Sequence, residues 1–187
     1  FQKNLGFIEG NSWQYTFMVA HDTKGLIRLM GGEQAYSNQL QKVFDLGQFD
    51  MTNEPNIGYP YLFNYVSDQE WRTQKKVSEL IKTHFRNTPD GLPGNDDTGT
   101  MSAWLIYSMM GLYPVSPADP IYAVTTPVFD KIIIQLDSRY YDQSQLVIEK
   151  EGKGVIKQLK IGEEIHKRFF VNHSELVQSN FLKISLE

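Results

Sequence analysis

The sequence of 187 residues contains no cysteine, which excludes disulfide bonds and thiolate metal sites. It also has no excess of basic residues, because 18 Lys and Arg stand against 22 Asp and Glu. The net charge of −4 and the absence of a basic block argue against nucleic-acid binding. No apolar run reaches the roughly 18 residues of a membrane-spanning helix.

The residues that are present suit a folded core, since 41 % are hydrophobic and 13 % are aromatic. This length fits one large domain or two small ones. The chain opens on Phe1 rather than Met and reaches dense motifs almost at once. We therefore expect it to be a piece of a longer protein, so the lack of a signal peptide says little about its compartment.

Apolar periodicity predicts helices in the first part of the chain and strands in the last part. Tyr36, Leu40 and Val43, for example, fall on one face of a helix. The predicted helices include residues 33–46, 68–87 and 101–112, and the predicted strands are residues 131–136, 145–149, 155–161 and 181–186. This order predicts a mainly α chain with a β-rich C-terminal part.

Two adjacent carboxylates, Asp96 and Asp97, lie in the glycine-rich stretch 91–99, just before the apolar segment 101–112. Glycine lets the backbone approach a ligand closely, and Asp and Thr are common helix N-caps. Two interpretations are open. The pair serves acid–base chemistry or a cation, or it only caps the helix and shapes the turn.

Two other polar clusters come earlier in the chain. Glu9 precedes a turn-type Gly-Asn-Ser sequence, and it reads either as a general acid or as a charge at a helix start. Asn53 and Glu54 offer an amide oxygen and a carboxylate side by side, which are the hard oxygen ligands that calcium takes. Taken alone, they would be only a polar loop.

Together these clusters resemble the calcium-dependent exo-α-mannosidases of glycoside hydrolase family 92. The similar motifs are Glu9-Gly-Asn-Ser-Trp-Gln-Tyr15, Asn53-Glu-Pro55 with Pro60-Tyr-Leu-Phe-Asn-Tyr65, Gly91-Leu-Pro-Gly-Asn-Asp-Asp97, Met101-Ser-Ala-Trp104 and Gly111-Leu-Tyr-Pro-Val115. They follow one another in order from about residue 7 to 136, whereas the end of the chain resembles the family only loosely.

The resemblance implies an enzyme with an N-terminal β-sandwich and a C-terminal (α/α)6 barrel. Residues 1–118 would then be a partial (α/α)6 catalytic-barrel segment, and residues 119–187 a β-rich C-terminal segment. The substrate would be a mannose-containing glycan, and the β-sandwich domain of the parent chain would be a partner. The family also implies a secreted, periplasmic or cell-surface location.

The implied reaction is hydrolysis of terminal α-linked mannose with inversion, in which one carboxylic acid protonates the leaving oxygen and a carboxylate activates water. Carried over by motif, Glu9 is the general acid, and Asp97, with Asp96 beside it, is the general base. The residues implied to contact the sugar are Trp13, Gln14 and Asn95, and the implied calcium ligands are Asn53 and Glu54.

One departure concerns residues 56–59, which read Asn-Ile-Gly-Tyr where many family members carry histidines. The resemblance places a leaving-group subsite there, so the linkage preference stays open. The rival hypothesis from another class is a non-catalytic carbohydrate-binding or scaffold module. A structural array of helical hairpins and a glycosidase for another sugar are further alternatives.

Overall fold

The computed structural model describes residues 6–187. The chain divides into two compact units, Phe1–Trp104 and Leu105–Glu187. The first is helical and the second is mostly β, so the predicted order of helices followed by strands is confirmed. The domain boundary after residue 118 stays a prediction, because these units reflect packing rather than independent folding.

The described part of the first unit contains short and medium helices. They are α1 (Ser12–Tyr15), α2 (Thr23–Leu29), α3 (Glu33–Asp45), α4 (Glu54–Ile57) and α5 (Glu70–His84), with 3-10 turns at Ala20–Asp22 and Tyr59–Tyr65 and the start of α6 (Thr100–Met110). Local chemistry sets several of the ends. Asp22 caps α2 by accepting a hydrogen bond from the Gly25 amide at 2.8 Å, and Gly31 and Gly32, both with positive φ, follow its last turn.

The core of the first unit forms around the apolar stripe of α3. Tyr36, Leu40 and Val43 are fully buried, as the helical period predicted. Burying a Leu or Val side chain stabilises the fold by roughly 1.5–3 kcal/mol. Trp104, at the last position of this unit, is also buried, and its ring stacks on Phe85 at a centroid distance of 5.5 Å. This core is the rigid support on which the polar loops lie.

The second unit contains two sheets and one further helix. Its elements are β1 (Leu112–Tyr113), β2 (Ile121–Val124), β3 (Lys131–Gln135), β4 (Gln145–Glu151), β5 (Ile156–Ile161), β6 (Glu164–His166), β7 (Phe170–Asn172), α7 (His173–Ser179) and β8 (Phe181–Leu186). One sheet has the order β1-β2-β7, and the other has the order β3-β4-β8-β5-β6. All neighbours are antiparallel except β4 and β8, which are parallel.

The four predicted strands are confirmed as β3, β4, β5 and β8, and all of them belong to the five-stranded sheet. Their alternating residues point into one core, in which Ile148 pairs with Leu182 and both are buried. The strands that the sequence did not predict are shorter, from two to four residues. Such lengths are too short for the alternation of a half-buried strand to stand out.

Candidate functional site

The Glu9 loop leads into α1, and two side chains hold it. Asn11 caps the helix, because its Oδ1 accepts hydrogen bonds from the amides of Trp13 and Gln14 at 2.9 and 3.2 Å. From the next motif, the Asn53 Nδ2 donates to the Glu9 carbonyl oxygen at 2.6 Å. The Glu9 backbone is therefore held in place while its side chain faces solvent.

The second loop carries Asn53 and Glu54 at the start of α4. Pro55 stands in the first turn of that helix, a position where its missing amide hydrogen costs nothing. Asn53 is buried, with 6 % exposure, whereas Glu54 is exposed. The hydrogen bond to the Glu9 carbonyl satisfies the buried Asn53 amide, so this residue joins two of the predicted motifs.

The third loop shows that the two adjacent aspartates do different things. The two Asp96 carboxylate oxygens accept hydrogen bonds from the Ser102 amide and from the Ser102 hydroxyl, at 2.8 and 2.9 Å. Asp96 therefore anchors the first turn of α6, which is the capping chemistry that the sequence left open. Asp97 is exposed, and Thr100 bonds to its backbone oxygen rather than to its carboxylate.

The third loop also lies against the second. Gly94 has a φ of +72°, and a Cβ built on it would lie 3.0 Å from the Cβ of Thr52. Any larger residue would push against the turn that carries Asn53. The three motif loops thus meet around residues 52–53, where Asn53 contacts Glu9 and Thr52 contacts Gly94. Asn95, Asp96 and Asp97 follow directly from that contact.

Glu9 and Asp97 share an unusual backbone conformation. Their φ angles are +57° and +44°, in the left-handed region that L-residues rarely adopt. Such a conformation costs about 1–3 kcal/mol and persists where the surrounding structure enforces it, most often at functional sites. The described part of the chain has the same left-handed backbone at Asp68, Thr98, Ala118 and Asn180, so this conformation does not by itself mark a catalytic residue.

Trp13 and Gln14, the implied sugar contacts, lie on α1 beside the Glu9 loop. Trp13 is half-buried, and Gln14 has only 5 % exposure. The Gln14 Oε1 has no hydrogen-bond partner in the described part of the chain. Other buried side-chain atoms of the described residues also lack a partner, the Tyr36 hydroxyl among them, so this feature is not specific to the candidate site. Gly10 leaves room for the Gln14 Oε1, since a Cβ at residue 10 would lie 2.8 Å from that oxygen.

The positions that depart from the family's histidines are internal in this chain. Asn56 is fully buried, and its Oδ1 accepts a hydrogen bond from the Asp50 amide. The Ile57 carbonyl accepts from the Trp104 indole Nε1 at 2.9 Å, and Tyr59 is buried against α1. These residues build the support beneath the loops, and sequence reasoning missed that role.

The oxygen donors of this region suit a hard cation in their chemistry. Asn53 uses its Nδ2 for Glu9, which leaves its amide oxygen as the acceptor, and the Glu54 carboxylate is next to it in sequence. Calcium takes six to eight such oxygens. Among residues 6–187, no three His, Asp or Glu side chains gather as a metal-binding group.

A separate cavity of about 480 Å³ lies along α2 and contains none of the predicted site residues. It is lined by Val19, His21, Asp22, Gly25, Leu26, Arg28 and Leu29. Leu29 is 86 % exposed, so this is an open surface groove rather than an enclosed site. The convergence of the motif loops, and not this groove, defines the candidate site.

The second unit holds an aromatic cluster that sequence reasoning also missed. The Tyr122 hydroxyl lies 3.0 Å from the His173 Nδ1, and the Tyr141 hydroxyl lies 3.3 Å from its Nε2. Burial raises the pKa of Tyr122, and the nearby hydroxyls of Tyr107 and Tyr141 add to that shift. Both imidazole nitrogens are engaged, so the cluster joins β2, α7 and the segment after β3 as a structural tie.

Comparison with known proteins identifies the family of the chain. The model of the glycosyl hydrolase family 92 catalytic domain matches residues 1–187. The chain belongs to glycosyl hydrolase family 92. The family suggested by the motifs is thereby confirmed.

Particular relatives are similar over most of the chain. An uncharacterized secreted glycosidase of Arthroderma benhamiae is 32 % identical over 127 residues, which are 68 % of this chain and 16 % of that protein. The structure of the family GH92 α-mannosidase BT3965 from Bacteroides thetaiotaomicron has a TM-score of 0.83 at 27 % identity, covering 95 % of this chain and 24 % of that one. The inverting mannosidase BT2199 of the same organism has a TM-score of 0.81 at 27 % identity, with 97 % and 28 % covered.

The chain thus spans less than a third of the length of each of these relatives. Its similarity to the two mannosidases covers both units, including the β-rich end, where the sequence motifs resemble the family only loosely.

Proposed function

We propose that this chain forms part of the active site of an exo-α-mannosidase that removes terminal α-linked mannose from glycans. The observation that carries the proposal is the meeting of the three motif loops around residues 52–53 in a chain of family 92. Two structural relatives are named as α-mannosidase and inverting mannosidase, which supports this substrate and this stereochemistry. An isolated piece of this length is expected to have little activity of its own.

In the proposed mechanism, Glu9 is the general acid and Asp97 the general base. Inverting glycosidases hold such a pair about 6.5–9.5 Å apart, with the nucleophilic water between the sugar and the base. Both carboxylates are exposed, as groups that contact substrate and water need to be. Asp96 shares in catalysis by holding the loop, because Ser102 engages both of its oxygens.

The mannose would contact Trp13, Gln14 and Asn95. Gln14 belongs to α1, which begins directly after the Glu9 loop, and this placement supports the role. Trp13 is half-buried and offers ring area to the pyranose, while the exposed Asn95 precedes the acidic pair. These contacts would orient the sugar between the acid and the base.

Asn53 and Glu54 would hold a calcium ion. When bound, the ion supplies a positive charge that binds and orients sugar hydroxyls. Further ligands would come from the rest of the catalytic domain. Asn53 would then have two tasks, binding through its oxygen and positioning the Glu9 carbonyl through its nitrogen.

We further propose that the helical unit is a segment of an (α/α)6 barrel that works with an N-terminal β-sandwich domain of the parent chain. A secreted, periplasmic or cell-surface location is supported by the relative named as a secreted glycosidase. In residues 6–187, no helix combines the length and apolar character needed to cross a membrane.

The test is hydrolysis of an aryl α-mannoside and of an α-mannobiose by the full-length protein, with and without chelator. Asp97→Asn should lower kcat by at least about 100-fold, because a general base contributes about 10²–10⁴ in rate. Asp68→Asn is the matched control, since Asp68 is likewise exposed and has a φ of +61° but lies outside the motif loops.

A fully active Asp97→Asn protein would remove Asp97 as the base, and activity indifferent to chelation would remove calcium. Binding of mannose by calorimetry without any turnover would instead favour the carbohydrate-binding module.

A further inference from the structure

Tyr59 is a buried residue whose hydroxyl reaches the end of α1. It opens the 3-10 turn Tyr59–Tyr65 and has 1 % exposure. The hydroxyl donates to the Gln14 carbonyl oxygen at 2.6 Å and accepts from the Phe17 amide at 3.0 Å. One side-chain atom thus satisfies two backbone groups 45 and 42 residues away in sequence.

Helix α1 needs such a contact because it consists of four residues. A single helical turn is unstable alone, and its terminal backbone groups lack partners within the helix. Asn11 satisfies the N-terminal amides of α1, and its Nδ2 donates to Gln48 at 3.1 Å. At the other end of α1, the Tyr59 hydroxyl satisfies the backbone groups of Gln14 and Phe17.

A second tyrosine provides an internal comparison. The rings of Tyr59 and Tyr36 both pack edge-on against the Phe17 ring, at centroid distances of 5.4 and 5.2 Å. Both residues are buried, yet the Tyr36 hydroxyl has no hydrogen-bond partner in the described part of the chain. The two phenols therefore share the packing on Phe17 and differ in the hydrogen bonds to α1.

The Tyr59 hydroxyl keeps its proton and can therefore always donate a hydrogen bond. Burial raises the pKa of Tyr59 above its ordinary value, more than the hydrogen bonds from the backbone lower it. The phenol thus keeps its proton throughout the pH range in which a glycosidase works, and the hydrogen bond to Gln14 persists.

We propose that Tyr59 is a positioning residue of the mannosidase site: its hydroxyl fixes α1 so that Trp13 and Gln14 meet the sugar beside the Glu9 loop. This inference rests on the proposed function. Without the hydroxyl, the Gln14 carbonyl and the Phe17 amide lose their partner inside the core. Because α1 follows Glu9 after two residues, the helix and the acid would shift together.

The test compares Tyr59→Phe with Tyr36→Phe in the full-length protein. Hydrogen exchange followed by mass spectrometry should show at least about tenfold faster exchange of residues 12–17 in Tyr59→Phe, since the local hydrogen bonds are lost. The kcat should fall about tenfold because Glu9 beside α1 is misplaced, and KM should rise at least about threefold because Trp13 and Gln14 no longer meet the sugar. Tyr36→Phe should leave both readouts unchanged.

Failure of the Tyr59 inference can be distinguished from failure of the proposed function. Unchanged exchange of residues 12–17 in Tyr59→Phe, or equal effects in the two variants, would overturn the inference. Faster exchange with unaltered kcat would leave Tyr59 as a structural residue and also overturn it. If the wild-type protein hydrolyses no mannoside, the proposed function fails, whereas the exchange result still decides whether Tyr59 holds α1.

A general loss of folding is recognised by exchange outside residues 12–17. In that case Asn11→Ala, which releases the opposite end of α1, must show the same local exchange and the same fall in kcat for the inference to stand.

Discussion

The two units of this chain obey local sequence preference to different degrees. In the second unit, β3, β4, β5 and β8 follow the alternation of their side chains, and their buried residues share one core. In the first unit, the motif loops are held by hydrogen bonds that join segments distant in sequence. The difference shows that the candidate site lies where tertiary contacts position the chain.

The largest expected effect is the loss of activity when Glu9, in the first unit, is substituted. Glu9→Gln should lower the rate on an α-mannobiose by about 10²–10⁴, because the leaving oxygen loses its proton donor. A dinitrophenyl mannoside needs little protonation, so its hydrolysis should fall far less. Steady-state kinetics on both substrates provide the measurement.

Glu163→Gln, a change at an exposed glutamate of the second unit, is the control for Glu9→Gln and should be silent. Equal losses on the two substrates would contradict Glu9 as the acid.

The next largest effect tests whether packing of buried side chains stabilises the second unit. Leu182→Ala should destabilise that unit by about 2–5 kcal/mol, since Leu182 is fully buried between β4 and β5. Ile133→Ala, on the same sheet but half-exposed, should cost much less. Denaturant unfolding measures both, and similar costs for the two variants would argue against the described core.

Substitution of Asp96 should have a smaller effect, and that effect distinguishes helix capping from proton transfer. Asp96→Ala should cost about 0.5–2 kcal/mol in stability, the usual loss when a helix-capping side chain is removed. Thermal unfolding provides the measurement, with Asp90→Ala as the control. Asp90 is exposed and forms only a long ion pair with Arg86 at 3.5 Å. A large loss of rate with unaltered stability would instead assign Asp96 to the chemistry.

The smallest effect is expected at the surface of the five-stranded sheet. Lys131 and Glu149 form an ion pair at 2.8 Å across β3 and β4, with side-chain exposures of 57 % and 35 %. Exposed pairs contribute about 0–1 kcal/mol. Lys131→Gln should therefore shift the unfolding midpoint only slightly. In high salt, the difference in midpoint between this variant and the wild-type protein should disappear. A cost comparable with that of Leu182→Ala would contradict the assignment of stability to the core.

Much of the fold could be predicted because its signals are local. The stripe of α3 and the alternation of the long strands are encoded by neighbouring residues, and the structure confirms them. The motif loops were recognisable because their residue types are strongly restricted by the chemistry they resemble. The roles of individual site residues remain predictions.

The support beneath the site was not predictable from local pattern. Tyr59 and Trp104 have the sequence context of an aromatic turn and of a helix, yet each donates a hydrogen bond to a distant backbone carbonyl. Nothing within a few residues of them specifies those partners. The same holds for His173, whose two tyrosine neighbours lie 51 and 32 positions away.

The sequence by itself determined the order of helices and strands, the family of the chain and the residue types of the candidate site, because these depend on period, composition and motif. Only the tertiary structure decided that Asn53 meets Glu9, that Gly94 lies against Thr52, and that Asp96 anchors a helix while Asp97 faces solvent. The physical reason is that contacts between distant segments are chosen by packing and by the need to satisfy buried polar groups, and both depend on the whole fold.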